Sequence, residues 1–255
     1  MPLILVTNDD GISSPGIKIL SKALKDLGDV YVVAPETEQS AVAHALTLHR
    51  PLKALKVGNR TYCVNGTPTD CVIIGVSKIL PQKPDIIVSG INNGGNLGDN
   101  ITYSGTVAAA MEGTLLGIPS LAFSLALEDN GNSTYGKISL KFRIAAEHAR
   151  GLTSKVLEMG LPDDTLLNIN VPDVKEIKGI KITKQGKLAY DNAIKELRDP
   201  RGRECFWIGG GIPQWESGGN TDLDAVQNGY ISVTPVRMNL TDYDTLRYIE
   251  KNWKI

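Results

Sequence analysis

Residues 3–11 read LILVTNDDG. Leu3 to Thr7 is an apolar run without polar alternation, as in a strand buried on both faces, and it ends in two acids and a glycine. A helical stripe follows (Ile17, Leu20, Leu24, Leu27), stopped by Gly28, and then a second buried strand at Val30–Ala34. Asp85–Ser89, introduced by Pro84 and ending at Gly90, reads as another strand. Gly105–Leu116 reads as a helix and Ser120–Ser124 as the next strand. Strands alternating with helices over short connections predict an α/β fold with a parallel sheet covered by helices.

Outward from that core, a long amphipathic helix is expected from Gly136 to about Glu158, with strands at Leu166–Val171 and Tyr230–Pro235. Between them, Ile180–Gly229 changes character. It has charged β-like segments, the loop Arg198–Gly202 and the glycines Gly209, Gly210, Gly211, Gly218 and Gly219, and it reads as hairpins projecting from the core. Thr241–Trp253 reads as a final helix with Thr241 as its N-cap. No internal repeat and no linker divides the chain. It is expected to be a single domain over 1–255, with a core at 1–179, an arm at 180–229 and a late strand and helix at 230–255.

The chain has 255 residues, 42% hydrophobic and 22% charged, enough to bury a core without staples. Its 27 basic and 28 acidic residues give a net charge of −1, which disfavours a protein that coats a nucleic acid duplex. Cys63, Cys71 and Cys205 form no CxxC, so ordinary thiols in a reducing compartment are expected rather than a disulfide framework or structural zinc. The N-terminus does not read as a signal peptide, and no apolar run reaches the roughly 20 residues of a membrane span. A cytoplasmic protein with no membrane partner is the expectation.

In open α/β sheets, ligands bind beyond the carboxyl ends of the strands. Here those ends are rich in chemistry. Asp9 and Asp10 are adjacent carboxylates whose mutual repulsion suits a hard divalent cation, although a helix cap and a turn also account for them. The second strand leads into Glu36, Gln39 and Ser40, whose hydroxyl is either an oxygen ligand or an ordinary loop group. The third leads into SGINNGGNLGDNITYSGT, Ser89 to Thr106. There Asn92, Asn93 and Asn96 offer amides, the glycines let the backbone approach a ligand, and Ser104-Gly105-Thr106 opens a helix whose free N–H groups suit an anion.

No GxxxxGK[ST], GxGxxG or GxSxG motif accompanies these residues. His44, just past Ser40, is positioned to assist; His49 and His148 read as surface or packing residues, and Cys71 as a small buried hydrophobe. Carboxylates, a serine and asparagines beside an anion cradle imply metal-assisted phosphoryl chemistry. Without a P-loop lysine, hydrolysis of a phosphate ester fits better than transfer from ATP.

NDDGISSPG, APETEQS, GTPTDCV and SGINNGGNLGDNITYSGTVAAAMEG, in that order, resemble the signature blocks of the SurE family of survival proteins, followed more weakly by LNINVP and GYISVTP. The resemblance implies a Rossmann-like three-layer sandwich with a mostly parallel sheet, an extended β-hairpin arm and a C-terminal helix involved in oligomerisation, forming a homodimer or homotetramer. It also implies a divalent-metal-dependent phosphatase for nucleoside 5′-monophosphates, often 3′-monophosphates, and in some members short polyphosphate. One divalent metal ion per subunit, Mg2+ or Mn2+, would be held by Asp9, Asp10, Ser40 and Asn92. Asn96, Ser104, Gly105 and Thr106 would hold the phosphate, with Asp9 and Asp10 catalytic. The chain departs from the family pattern at Ala41, where glycine is usual, and at Ala45, where serine is usual. Were residue 41 to need a positive φ, alanine would be strained there.

Two rival readings are weaker. A receiver-type signalling module needs an aspartate at the third strand tip, where this chain has Ser89-Gly90, and a non-catalytic nucleotide scaffold sits poorly with intact Asp9, Asp10 and Asn92.

Overall fold

The structure, a computed structural model, describes residues 1–126, 135–190, 194–208, 213–216 and 218–253. Gly209, Gly210 and Gly211 lie outside the described residues.

β1 (Leu3–Thr7) is an interior strand. It pairs in parallel with β2 (Asp29–Pro35) on one side and β5 (Ile86–Asn93) on the other. Parallel pairing continues through β6 (Ser120–Ala126) to β7 (Thr165–Pro172). Beyond β2 lie β4 (Thr61–Val64), parallel to it, and β3 (Ala54–Gly58), antiparallel at the edge. Past β7, β13 (Ile231–Arg237) is antiparallel and β8 (Ile180–Ile182) completes a nine-stranded sheet.

Side chains of β1 alternate between the two faces, and each face has its own core. Ile4 and Val6 pack with Ile17, Leu20 and Leu24 of α1 (Pro15–Ala23) and its C-terminal turn, and with Phe142 and Ala145 of α4 (Tyr135–Met159). Leu3 and Leu5 pack on the opposite face with Cys71 and Val72 of α2 (Pro68–Ile74) and Ala109 of α3 (Gly105–Leu115). Burial on both faces is why β1 shows no polar alternation.

Several expectations need correction. The last helix, α6 (Tyr243–Asn252), is capped by Asp242, which accepts from the N–H groups of Asp244 and Thr245, rather than by Thr241. β5 does not stop at Gly90 but continues to Asn93. The stretch Ile180–Gly229 is also more than projecting hairpins. β8 belongs to the main sheet, and α5 (Asp222–Gln227) packs on β13 and β7. Two hairpins lie outside that sheet: β9 (Lys187–Tyr190) with β12 (Pro213–Glu216), and β10 (Ile194–Arg198) with β11 (Glu204–Ile208).

Asp222 ties the base of these hairpins to the rest. Fully buried, it accepts from the N–H groups of Gly98 (2.8 Å), Gly186 (2.9 Å) and Leu223 (2.9 Å). Asp222→Ala would orphan the buried Gly98 and Gly186 donors at about 1–3 kcal/mol each. We expect a Tm drop of roughly 5–15 °C by calorimetry, and an unchanged Tm would show that these bonds contribute little.

Candidate active site

The chain runs from β1 to β2 on one side and later reaches β5 on the other, so the sheet's topological switch point lies at the carboxyl ends of β1 and β5. Asp9, Asp10, Glu38, Ser40, Asn92, Asn93, Asn96, Tyr103 and Ser104 line one cavity there, about 360 Å³ in volume.

Each wall has a local cause. Asn8 closes the turn after β1 by donating to Gly11 O (3.1 Å) and Ser14 Oγ (2.8 Å). The Asp9 carbonyl accepts from Gln39 N (2.8 Å), drawing the loop after β2 against the acids. β5 carries an irregularity between Ser89 and Asn92, where its register against β6 shifts, and such bulges re-aim side chains beside active sites. Gly90 makes this possible: at φ +129°, its hypothetical Cβ would meet Phe123 O at 2.3 Å.

Asp9 is 6% exposed, and Asp10 is half-buried. Burial pushes the Asp9 carboxyl up. The Thr106 hydroxyl, which donates to Asp9 Oδ1, opposes that rise, and nearby Glu38 adds to it. Asp10 is raised to about 6, first by burial and then by the Asp9 charge, against the Asn93 N–H bond at 3.3 Å. Two acids held uncomfortable in this way are what a cation relieves.

The other donors suit a hard ion. Asn92 Nδ2 donates to Gly94 O (2.8 Å), so the amide oxygen is the atom of this side chain that could face a cation, and Ser40 Oγ lies 2.5 Å from Glu38 Oε1. Among the described residues no group of three or more His, Cys, Asp or Glu converges as a metal site. The ligands would therefore be two carboxylates plus neutral oxygens, a set that suits Mg2+ or Mn2+ rather than zinc.

Of the eight residues expected in the site, Asp9, Asp10, Ser40, Asn92, Asn96 and Ser104 line the cavity, whereas Gly105 and Thr106 do not. Thr106 is fully buried with its hydroxyl on Asp9, and a Cβ at Gly105 would come within 2.8 Å of Asp9 Cβ. The start of α3 thus grips the acid directly. Ser104 caps α3 by accepting from Val107 N (3.1 Å).

Asn96 is held by groups that the sequence did not announce. Its N–H donates to Asn170 Oδ1 (2.8 Å) and its Nδ2 to Ser124 Oγ (2.7 Å). Its carbonyl accepts from Asn168 (2.8 Å) and Asn170 (2.9 Å). Glu38 and Tyr103 also line the cavity and were not expected. The alternation in LNINVP, with asparagines at positions 168 and 170 of an otherwise apolar strand, is the one signal that could have exposed the clamp.

The family described as Survival protein SurE matches residues 4–192. The chain belongs to the SurE family. Relatives named 5′-nucleotidase SurE include one from Geobacter metallireducens, 50% identical over 98% of this chain and 96% of its own length. Another, from Geobacter sulfurreducens, is also 50% identical, over 99% of this chain and 94% of its own. The crystal structure of the SurE protein from Aquifex aeolicus superposes with a TM-score of 0.84 at 45% identity, covering 98% of this chain and 99% of that one. This confirms the layered α/β architecture expected of a SurE chain.

The raised acids give a stability test. A carboxyl whose folded pKa exceeds its unfolded value costs stability that builds as pH rises from about 4 to about 6 and is fully present above that. In EDTA at pH 7.5, Asp10→Asn is expected to raise Tm by several degrees, equivalent to about 2–3 kcal/mol, with the gain vanishing near pH 4. A lower Tm for the variant at pH 7.5 would refute this account.

Proposed function

We propose that this chain hydrolyses nucleoside 5′-monophosphates to nucleoside and phosphate, using one Mg2+ or Mn2+ per subunit, and that it extends to 3′-monophosphates and short polyphosphate. It is a 5′-nucleotidase of the SurE family. The observation that carries the metal-dependent reading is the raised Asp9–Asp10 pair beside the Asn92 amide oxygen, in a cavity that also holds the α3 cap Ser104.

Asp9, Asp10, Ser40 and Asn92 would hold the ion. When bound, it would supply Lewis-acid polarisation of the phosphoryl group and acidify a coordinated water. The remaining steps belong to the chain. Asp9, with Oδ1 engaged by Thr106, orients the attacking water through Oδ2 and takes its proton. Ser104 and the one remaining Asn96 amide hydrogen face the phosphoryl oxygens, and the start of α3 adds a favourable dipole. Water oxygen bonds to phosphorus, the ester P–O bond breaks, and the departing nucleoside oxygen takes up a proton from solvent while Asp9 returns its proton to solvent.

Association is part of the proposal. α6 has no buried residue although Tyr243, Leu246 and Tyr248 form part of its surface, and Phe206, Trp207 and Ile208 of β11 are exposed. An apolar surface of this kind suits a homodimer or homotetramer built through the arm and the last helix. Among the described residues no helix is long and apolar enough to cross a membrane, and the three free cysteines suit the cytoplasm.

Phosphate release from a panel of nucleoside 5′- and 3′-monophosphates, in EDTA and then with Mg2+ or Mn2+, tests the activity. Release restored by metal and reduced at least 100-fold in Asp9→Asn is expected, and no release with either metal would overturn the reading. Phosphorylated Asp9 in acid-quenched turnover would replace water attack by carboxylate attack. Truncation after Asn239 is expected to shrink the assembly by light scattering, and an unchanged mass would remove the C-terminal helix from the interface.

A further inference from the structure

Tyr103 is the one aromatic ring among the residues lining the cavity, and it is 63% exposed. A ring that lines a cavity while remaining largely in solvent stands at its mouth. Core packing does not account for it. Nor does a cation: among the described residues the cation–ring contacts fall on Tyr31 and Tyr230.

Its backbone is hydrogen-bonded on both sides. Tyr103 N–H donates to Asn100 O (3.1 Å), and Tyr103 O accepts from Ala43 N (3.2 Å), so the residue is clasped between the turn before α3 and the loop that carries Ser40. The next residue, Ser104, is the α3 cap and lines the same cavity. Adjacent Cα atoms are about 3.8 Å apart, so the ring and the phosphate-facing hydroxyl spring from neighbouring points. The acids and Asn92 form the polar part of this cavity, with Asp9 nearly closed from solvent. A nucleotide with its phosphate at Ser104 extends its base toward the open side of the cavity, where the adjacent residue 103 is exposed.

We propose that Tyr103 is a stacking platform for the nucleobase and a specificity-determining residue. This inference rests on the nucleotidase reading above. A stacked ring reads the π-face that every base shares, so the platform selects nucleotides over base-free phosphate esters while tolerating all bases, with purines gaining most from their larger faces.

The test compares kcat/KM for adenosine 5′-monophosphate and ribose 5-phosphate in wild type, Tyr103→Ala and Tyr103→Phe, each at saturating Mn2+. The adenosine-to-ribose ratio is expected to fall roughly 5- to 100-fold in Tyr103→Ala, mainly through KM, and to be retained in Tyr103→Phe. Adenosine as a competitive product inhibitor should weaken in parallel. An unchanged ratio overturns the platform, including the case where Tyr103→Ala alters the mass of the assembly and so assigns the ring to a subunit contact. If the wild type releases phosphate from neither ester, the nucleotidase reading fails by itself. Calorimetric binding of the same two ligands then decides the platform: a preference for the nucleotide that Tyr103→Ala abolishes supports it, and equal binding refutes it.

Discussion

Two neighbouring carboxylates at the end of β1, one of them almost closed from water, make an arrangement that opposes folding. Burial raises both acids, the Asp9 charge raises Asp10 further and Glu38 adds to each, while the Asp9 backbone carbonyl, the start of α3 and the bulge in β5 hold them in place. A carboxylate at a helix N-terminus gains from the helix dipole and from a hydroxyl donor, and Asp9 has both. The chain therefore tolerates the pair without removing its need for a cation. On the metal-dependent reading proposed above, a cation held by the pair would recover the stability that its burial costs.

The rest of the fold serves to hold that point still. Asn96 uses its N–H, its carbonyl and its side-chain amide on Asn168, Asn170 and Ser124, so a loop of glycines and amides behaves as a rigid wall. Asp222 extends the clamp from Gly98 to Gly186 and α5, which lie at the base of the outlying hairpins. This buried carboxyl is thus a direct hydrogen-bonded link between the base of the hairpins and the Gly98 end of the site loop.

Much of this was legible in the sequence because each strand end carries its own chemistry. LILVTNDDG shows a doubly buried strand and an acid pair, and the Ser89–Gly113 block shows amides, glycines and a helix cap in order. What stayed hidden depends on pairing across the sheet. Asn168 lies 72 residues from Asn96, and Asp222 lies 124 from Gly98, separations that no local pattern encodes. The family resemblance implies that Thr106 holds the phosphate. The anion it meets is the protein's own Asp9. Between Ala54 and Ile74 the GTPTDCV block is legible but the elements themselves are not, because β3 is exposed throughout and α2 is short. The Thr67–Asp70 capping box was nevertheless readable in GTPTD.

Ala41 shows how a local rule fails and what makes the failure tolerable. Both Ala41 and Ala43 adopt positive φ, 55° and 54°, where a Cβ costs roughly 1 kcal/mol or more per residue. The loop holds that conformation because its far side is anchored repeatedly. Ala43 N bonds Tyr103 O, His44 Nε2 lies 2.9 Å from Glu112 Oε2, Ala45 O accepts from the Thr67 hydroxyl, and Thr47 N donates to Asp70. His44 is thereby paired with Glu112 of α3. Asp70 connects the same loop to the α2 cap, so the strain beside Ser40 is carried by helices on the face of the sheet where α2 and α3 pack. Glycine at residue 41 would relieve the strain and loosen the loop together. Alanine there bears the cost of the positive φ, which the anchors at Ala43, His44, Ala45 and Thr47 offset.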